Sequence, residues 1–226
     1  MGIRNYWSLF SYGVTLAICF GVPLLLTVLF YRKERVPVKA VVIGTLVFIV
    51  FQPLTRLPLL AALQGTSWYF NNIQFNVWAM AVLYSLSAGV FEEGGRFLAF
   101  KYLLGKDLSW AGGVAYGIGH GGIEAIMVGV TFAYKVAALD TLSPFYLMMP
   151  GMERLMAMAI QIGLSLVVLY SVKFKQYVWL LYAIMLHMLV NLPIPLVKNP
   201  VLIEAYVLLA ALIALAFIKK SRKLID

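Results

Sequence analysis

The chain has 226 residues, 63% of them hydrophobic and 12% charged, with a formal net charge of +9. A soluble domain carries about twice that charged fraction, so a soluble globular protein is excluded, and the mean hydropathy of +0.92 agrees with a polytopic membrane protein. The positive charge is no nucleic-acid footprint, because Lys and Arg stand in short clusters beside apolar runs, where membrane topology places them. The composition describes a single integral membrane domain, residues 1–226, with no room for a sizeable soluble module. Cys19 is the only cysteine, so no internal disulfide can form.

Taken in chain order, apolar runs predict helices at roughly 6–31, 39–63, 77–104, 109–134, 150–172, 177–195 and 200–218, an all-α transmembrane bundle of about seven spans. The first run is too long for a signal peptide and lacks a small-residue cleavage pattern. The second is interrupted by Pro53 and Pro58 around Arg56, which predicts a kink or unwinding near its end. The aromatic, uncharged stretch 66–78 suits an interfacial segment. Pro193 and Pro195 distort or terminate the sixth helix. Arg32, Lys33, Arg35, Lys39, Lys101, Lys106, Lys173, Lys175, Lys219, Lys220, Arg222 and Lys223 fall on one side of the membrane; Arg4, Lys135 and Lys198 fall on the other. That imbalance puts the N-terminus outside and the C-terminus in the cytoplasm of a cell-membrane protein.

Ionisable groups inside such runs are expensive and mark functional sites by default. The third run carries Glu92, Glu93 and Arg96, the fourth His120 and Glu124, and the sixth His187 and Asn191. Residues three or four apart share a helix face, so Arg96 can pair with Glu92 or Glu93 while the other carboxylate stays free as a base or ligand. Glu124 is expected to orient the His120 ring from behind, and His187 with Asn191 can supply two donors to a developing oxyanion. The same groups read structurally are an ion pair and interhelical clasps. Glycines 112, 113, 117, 119, 121, 122 and 129 around His120 predict close helix packing. Arg56, Glu153 and Arg154, near span ends, are expected to snorkel to the interface, and Glu204 to reach water.

Counting about 1.5 Å per residue from the cytoplasmic helix ends puts Glu92, His120 and His187 about 15–18 Å deep. Three helices thus deliver their groups to one level, which predicts a shared cavity, expected to open to the cytoplasmic half. No HExxH pattern occurs, so a zincin-type site is excluded. No metal is favoured; a divalent ion such as zinc, if present, would use His120, His187 and Glu92.

A double Glu with a nearby Arg, then H-x-x-x-E, then H-x-x-x-N, resembles the YhfC family of intramembrane proteases. That family is grouped with CAAX prenyl proteases, bacteriocin-processing and immunity proteins and PrsW-type proteases. The resemblance covers about 77–195, the expected catalytic core, and G-H-G-G-I-E-A is its most specific part. It implies endopeptidase activity on a membrane protein or lipidated peptide, with Glu92 or Glu93 and His120 activating water and His187 with Asn191 holding the oxyanion. In CAAX proteases the arginine lies five residues after the first Glu, whereas Arg96 lies four after Glu92, which leaves open which glutamate is catalytic. Two other classes compete: a non-catalytic scaffold or immunity-type protein, and a proton-coupled transporter using Glu and His as a relay.

Overall fold

In an apolar surrounding the backbone must bond to itself, and a helix does so within one segment. Every regular element among the described residues is helical. The computed structural model describes residues 3–35, 38–105, 108–134 and 142–226; Lys106 and Lys135 of the charge count lie outside them. Helix α1 is Ile3–Glu34, α2 Val38–Phe51, α3 Leu57–Gln64, α4 Ser67–Asn72, α5 Val77–Leu98, α6 Trp110–Ala133, α7 Pro144–Lys173, α8 Val178–Asn191 and α9 Pro200–Ile225. A π-helical turn, Gln52–Arg56, joins α2 to α3 where Pro53 was expected to disturb the run, and a second, Ala99–Leu103, extends α5. Among the described residues, four helices are long and apolar enough to cross a membrane: Tyr6–Glu34, Val38–Gln64, Pro144–Lys173 and Pro200–Ile225. Helix α5 carries three charged residues, α6 is diluted by glycine, and α8 has only 14 residues.

Two boundaries differ from expectation by well over a turn of helix. Helix α7 starts at Pro144, and Pro150 lies inside it. A buried helix tolerates an internal proline when a neighbour satisfies the loosened carbonyls; here the Thr15 hydroxyl of α1 donates to the Leu147 carbonyl at 2.7 Å. Helix α9 runs on to Ile225 because its charged last turns are tied down. Arg222 forks onto Glu34 with two bonds of 3.0 Å, Asp226 accepts from the Trp110 amide at 2.9 Å, and Lys173 donates to the Ile225 carbonyl at 2.6 Å.

Those ties gather the end of α1, the start of α6 and the ends of α7 and α9 at one pole of the bundle. Arg32, Lys33, Lys173, Lys219, Lys220, Arg222 and Lys223 belong to it, and it is called the basic end below. At the far end Tyr12 of α1 donates to the Ala133 carbonyl closing α6 (2.7 Å), and Tyr206 of α9 to the Leu189 carbonyl of α8 (2.8 Å).

Helix α6 is the hub, packed against α1, α2 and α7. The small residues around His120 let backbones touch, as their spacing predicts. A Cβ on Gly119 would stand 2.0 Å from the Val41 carbonyl oxygen, one on Gly44 2.2 Å from that of Tyr116, and one on Gly117 2.6 Å from the Ile162 Cα. Because the obstacles are backbone, no rotamer change relieves them. Gly44→Ala and Gly119→Ala should each destabilise the detergent-solubilised protein by about 3 kcal/mol, the upper part of the overpacking range. Gly21→Ala, where nothing lies within 4 Å of the new methyl, should leave the thermal unfolding midpoint unchanged.

Candidate functional site

One turn of α5 presents Glu92, Glu93 and Arg96 to the bundle interior, and all three are buried. Arg96 lies 3.6 Å from each carboxylate, through its Nη2 to Glu92 and its Nε to Glu93. The i, i+4 and i, i+3 spacings make that double pairing possible within one helix. The Arg96 side chain is fully buried. Its guanidinium also donates to the Gln161 carbonyl at 2.9 Å and to Ser165 Oγ at 3.3 Å, and meets the Gln161 side-chain oxygen.

The two histidines approach these carboxylates from different helices. His120 Nε2, on α6, lies 2.9 Å from Glu92 Oε2. The ring is packed edge-on to Phe48, with centroids 5.0 Å apart, and its Nδ1 is buried with no partner among the described residues. His187 Nδ1, on α8, lies 2.7 Å from Glu93 Oε1, which leaves His187 Nε2 turned to Glu92 Oε1 at 3.7 Å. The common depth expected of Glu92, His120 and His187 is therefore realised as contact.

Two glutamines that carry no motif complete the cluster. The Gln52 amide, in the first π-helical turn, donates to Glu92 Oε1, and its carbonyl oxygen accepts from Arg56 Nη1 at 2.9 Å. From α7, Gln161 Nε2 donates to Glu92 Oε2 at 3.1 Å and to Glu124 Oε2 at 2.8 Å, while its Oε1 faces Arg96. Glu92 is thus held from both sides by an amide backed by a guanidinium. A glutamine in an apolar run is a weak signal, but Gln52 beside Pro53 and four residues before Arg56 was a findable one, because π-turns frequently mark functional sites.

Three expectations need correction. Glu124 does not orient His120: it accepts from Arg154 at 2.7 Å and from Gln161, and Glu92 and Glu93 hold the two rings instead. Arg154 does not snorkel but bridges Glu124 and Glu153, the latter at 2.5 Å. Arg56 also turns inward, donating to Ser87 Oγ at 3.0 Å and to the Tyr84 carbonyl at 2.7 Å. In each case a partner on a neighbouring helix wins over the expected placement, a choice that sequence position does not reveal. Glu204, expected to reach water, is half-buried, and its Oε2 is shielded without a hydrogen-bond partner among the described residues.

Two cavities meet at Glu92. One, of about 290 Å³, is lined by Glu92, Glu124, Arg154, Gln161, His187 and Asn191 among others. The second, of about 470 Å³, is lined by Gln52, Arg56, Tyr84, Glu92, Glu124 and Asn191 among others. Asn191 therefore stands beside His187 and Glu92, whereas Glu93 and His120 line neither. Both cavities extend from Glu92 toward the far end of the bundle, not toward the basic end where the opening was expected. Four carboxyl groups (Glu92, Glu93, Glu124, Glu153), two imidazoles (His120, His187) and three guanidiniums (Arg56, Arg96, Arg154) gather in and around these cavities.

A divalent ion is matched in donor type. Two imidazole Nε2 atoms converge on one carboxylate, and a second carboxylate holds the other nitrogen of His187, as outer carboxylates hold metal-bound histidines. Among the described residues, no three His, Cys, Asp or Glu side chains are arranged to hold an ion.

Buried acid, base and hydrogen-bond donors on converging helices define an all-helical membrane protein with a candidate hydrolytic or ion-binding centre. The profile of the family described as YhfC intramembrane metalloprotease matches residues 18–142 and 133–215. The chain is also 34% identical, over 242 aligned positions, to "Uncharacterized membrane protein YhfC" of Bacillus subtilis (strain 168), covering 92% of this chain and 93% of that protein. The chain belongs to the YhfC family. No solved structure matches it.

Gln161 joins two ion pairs, so removing its amide leaves Arg96, Glu92 and Glu124 each short of a buried partner. Gln161→Leu should cost about 3 kcal/mol or more in denaturant unfolding in detergent. Gln176→Leu, at the exposed turn before α8, should leave the midpoint unchanged.

Proposed function

We propose that this protein is an intramembrane endopeptidase of seven spans, with its N-terminus outside and its basic end in the cytoplasm of a cell membrane. The substrate would be a membrane protein or a lipidated peptide. The charge asymmetry between the two ends of the bundle supports the orientation. The observation that carries the activity is the meeting of Glu92, His120 and His187 from three helices, with Glu92 and His187 lining a cavity also lined by Asn191 and His120 backing Glu92 from within the bundle.

Glu92 is the general base, because it faces the cavities while Glu93 stands behind His187. Arg96 and the two glutamine amides fix the position of its carboxylate. His120 holds a proton on Glu92 Oε2, so that the proton taken from water goes to the less crowded oxygen face. Glu93 retains the Nδ1 proton of His187 and so fixes the direction of its Nε2. With a second proton on Nε2, His187 donates with the Asn191 amide to the oxyanion of the tetrahedral intermediate. Without that proton, the Nε2 lone pair is available to a metal, and His120, His187 and Glu92 are the residues that would hold it. A divalent ion so bound would polarise the scissile carbonyl and acidify water.

The test is cleavage of membrane peptides by the purified protein in detergent. His120→Ala should abolish turnover. Asn191→Ala should slow it on the order of 10²–10³-fold, as loss of one oxyanion donor does, with the thermal midpoint unmoved. Equal cleavage by wild type and Asn191→Ala overturns the oxyanion role. Activity lost to a chelator and restored by zinc assigns the ion to the two histidines and Glu92. A rate indifferent to chelator assigns Nε2 of His187 the donor role.

A further inference from the structure

The two directions leading away from Glu92 along the bundle axis are physically unlike. Toward the basic end the helices close. Ala99, Phe100, Tyr116, Leu166 and Leu169 are all fully buried, and Leu104 is nearly so. The Phe100 and Tyr116 rings pack at a tilt of 44°, with centroids 4.8 Å apart. A Cβ on Gly113 would come within 2.9 Å of the Leu166 side chain, and one on Gly117 within 2.6 Å of the Ile162 backbone. Interiors packed to this density hold no path for water.

Toward the far end the bundle is open and polar. The linings of both cavities have their floor at Phe48, Glu92, Glu124, Leu164 and His187, and continue only outward from there. On α5 the lining rises to Ala88, Ser85 and Tyr84, on α6 to Met127, on α7 to Ala157, Arg154 and Glu153, and beyond α8 to Ile194. A hydrogen-bonded wall runs the same way: Glu92 to Gln161 at 3.1 Å, Gln161 to Glu124 at 2.8 Å, Glu124 to Arg154 at 2.7 Å and Arg154 to Glu153 at 2.5 Å. It ends at a carboxylate that is about one-third exposed. Buried water resides where a cavity offers several polar partners, and that condition holds on this side of Glu92.

From these observations we infer that the site is served from the non-cytoplasmic side. Water and the substrate backbone reach Glu92 from the far end of the bundle, so the bonds it can take belong to polypeptide at the outer surface or in the outer half of the membrane. This rests on the peptidase reading above for the identity of the substrate, and on the charge asymmetry for the naming of the sides.

Cysteine accessibility tests the direction without a substrate. In a Cys19→Ala background, Val190→Cys and Ala157→Cys place thiols in the smaller cavity, Gln74→Cys marks the far-end loop and Gln176→Cys the basic-end loop. A membrane-impermeant methanethiosulfonate reagent is applied to intact cells and to inverted vesicles. The expected result is modification of Val190→Cys, Ala157→Cys and Gln74→Cys in intact cells, and of Gln176→Cys only in inverted vesicles. Cavity cysteines modified from the Gln176 side, or from neither side, overturn the inference. So does a Gln74→Cys that reacts only in inverted vesicles, because the far end would then be cytoplasmic. Absence of peptide cleavage would remove the peptidase reading and leave the labelling pattern intact.

Discussion

Two carboxylates and a guanidinium on one turn of α5 are withdrawn from water together, and the surrounding helices are arranged around that charge. Isolated ions in such a place cost several kcal/mol each even after relaxation. Arg96 alone cannot satisfy both glutamates, because its 3.6 Å separations are attraction at a distance and not hydrogen bonds. Hydrogen-bonding partners for the carboxylates come from His120, His187, Gln52 and Gln161, one from each of four other segments, while Glu93 Oε2 and Arg96 Nε have no hydrogen-bond partner among the described residues. The cluster therefore fixes the mutual position of α2, α6, α7 and α8 about α5, and a helix that drifted would leave a buried charge without its partner.

Close packing and the polar cluster depend on each other. Glycine faces on α6 bring α2 and α7 to backbone contact, which is what allows the short amide side chains of Gln52 and Gln161 to reach a carboxylate on α5. The reach is directional as well. Each glutamine offers its N–H to Glu92 and its oxygen to an arginine, so the amide dipoles lie in one sense along Arg56–Gln52–Glu92 and Arg96–Gln161–Glu92. Such oriented hydrogen-bond chains are stronger in a low-dielectric interior than their members suggest separately.

The asymmetry along the bundle axis follows from where polar residues fall in each helix. On the basic side of Glu92, α5 and α6 supply Ala99, Phe100, Gly113, Tyr116 and Gly117, which interlock without leaving room. On the other side Tyr84, Ser85, Glu124, Arg154 and Asn191 stand on helices that separate, and space between them persists. The charge that anchors the bundle thus sits at the floor of its opening.

Hydropathy, charge clusters and helical spacing were legible from the chain alone. They determined an all-helical membrane protein, the disturbance at Pro53, the pairing of Arg96 with its own helix's glutamates, and the common level of Glu92, His120 and His187. These follow from period, rise per residue and the cost of burying charge, all of which are local or one-dimensional. Tertiary structure alone decided which group faces which. Glu124 shares a helix face with His120 but finds Arg154 and Gln161. Arg56 and Arg154, at positions where snorkelling is cheap, turn inward because another helix presents an acceptor. Gln52 and Gln161 gain their roles from Glu92, which lies 40 and 69 residues away from them in sequence. The direction in which the cavities open was likewise settled by packing, because the volume left between helices depends on side chains from several of them at once.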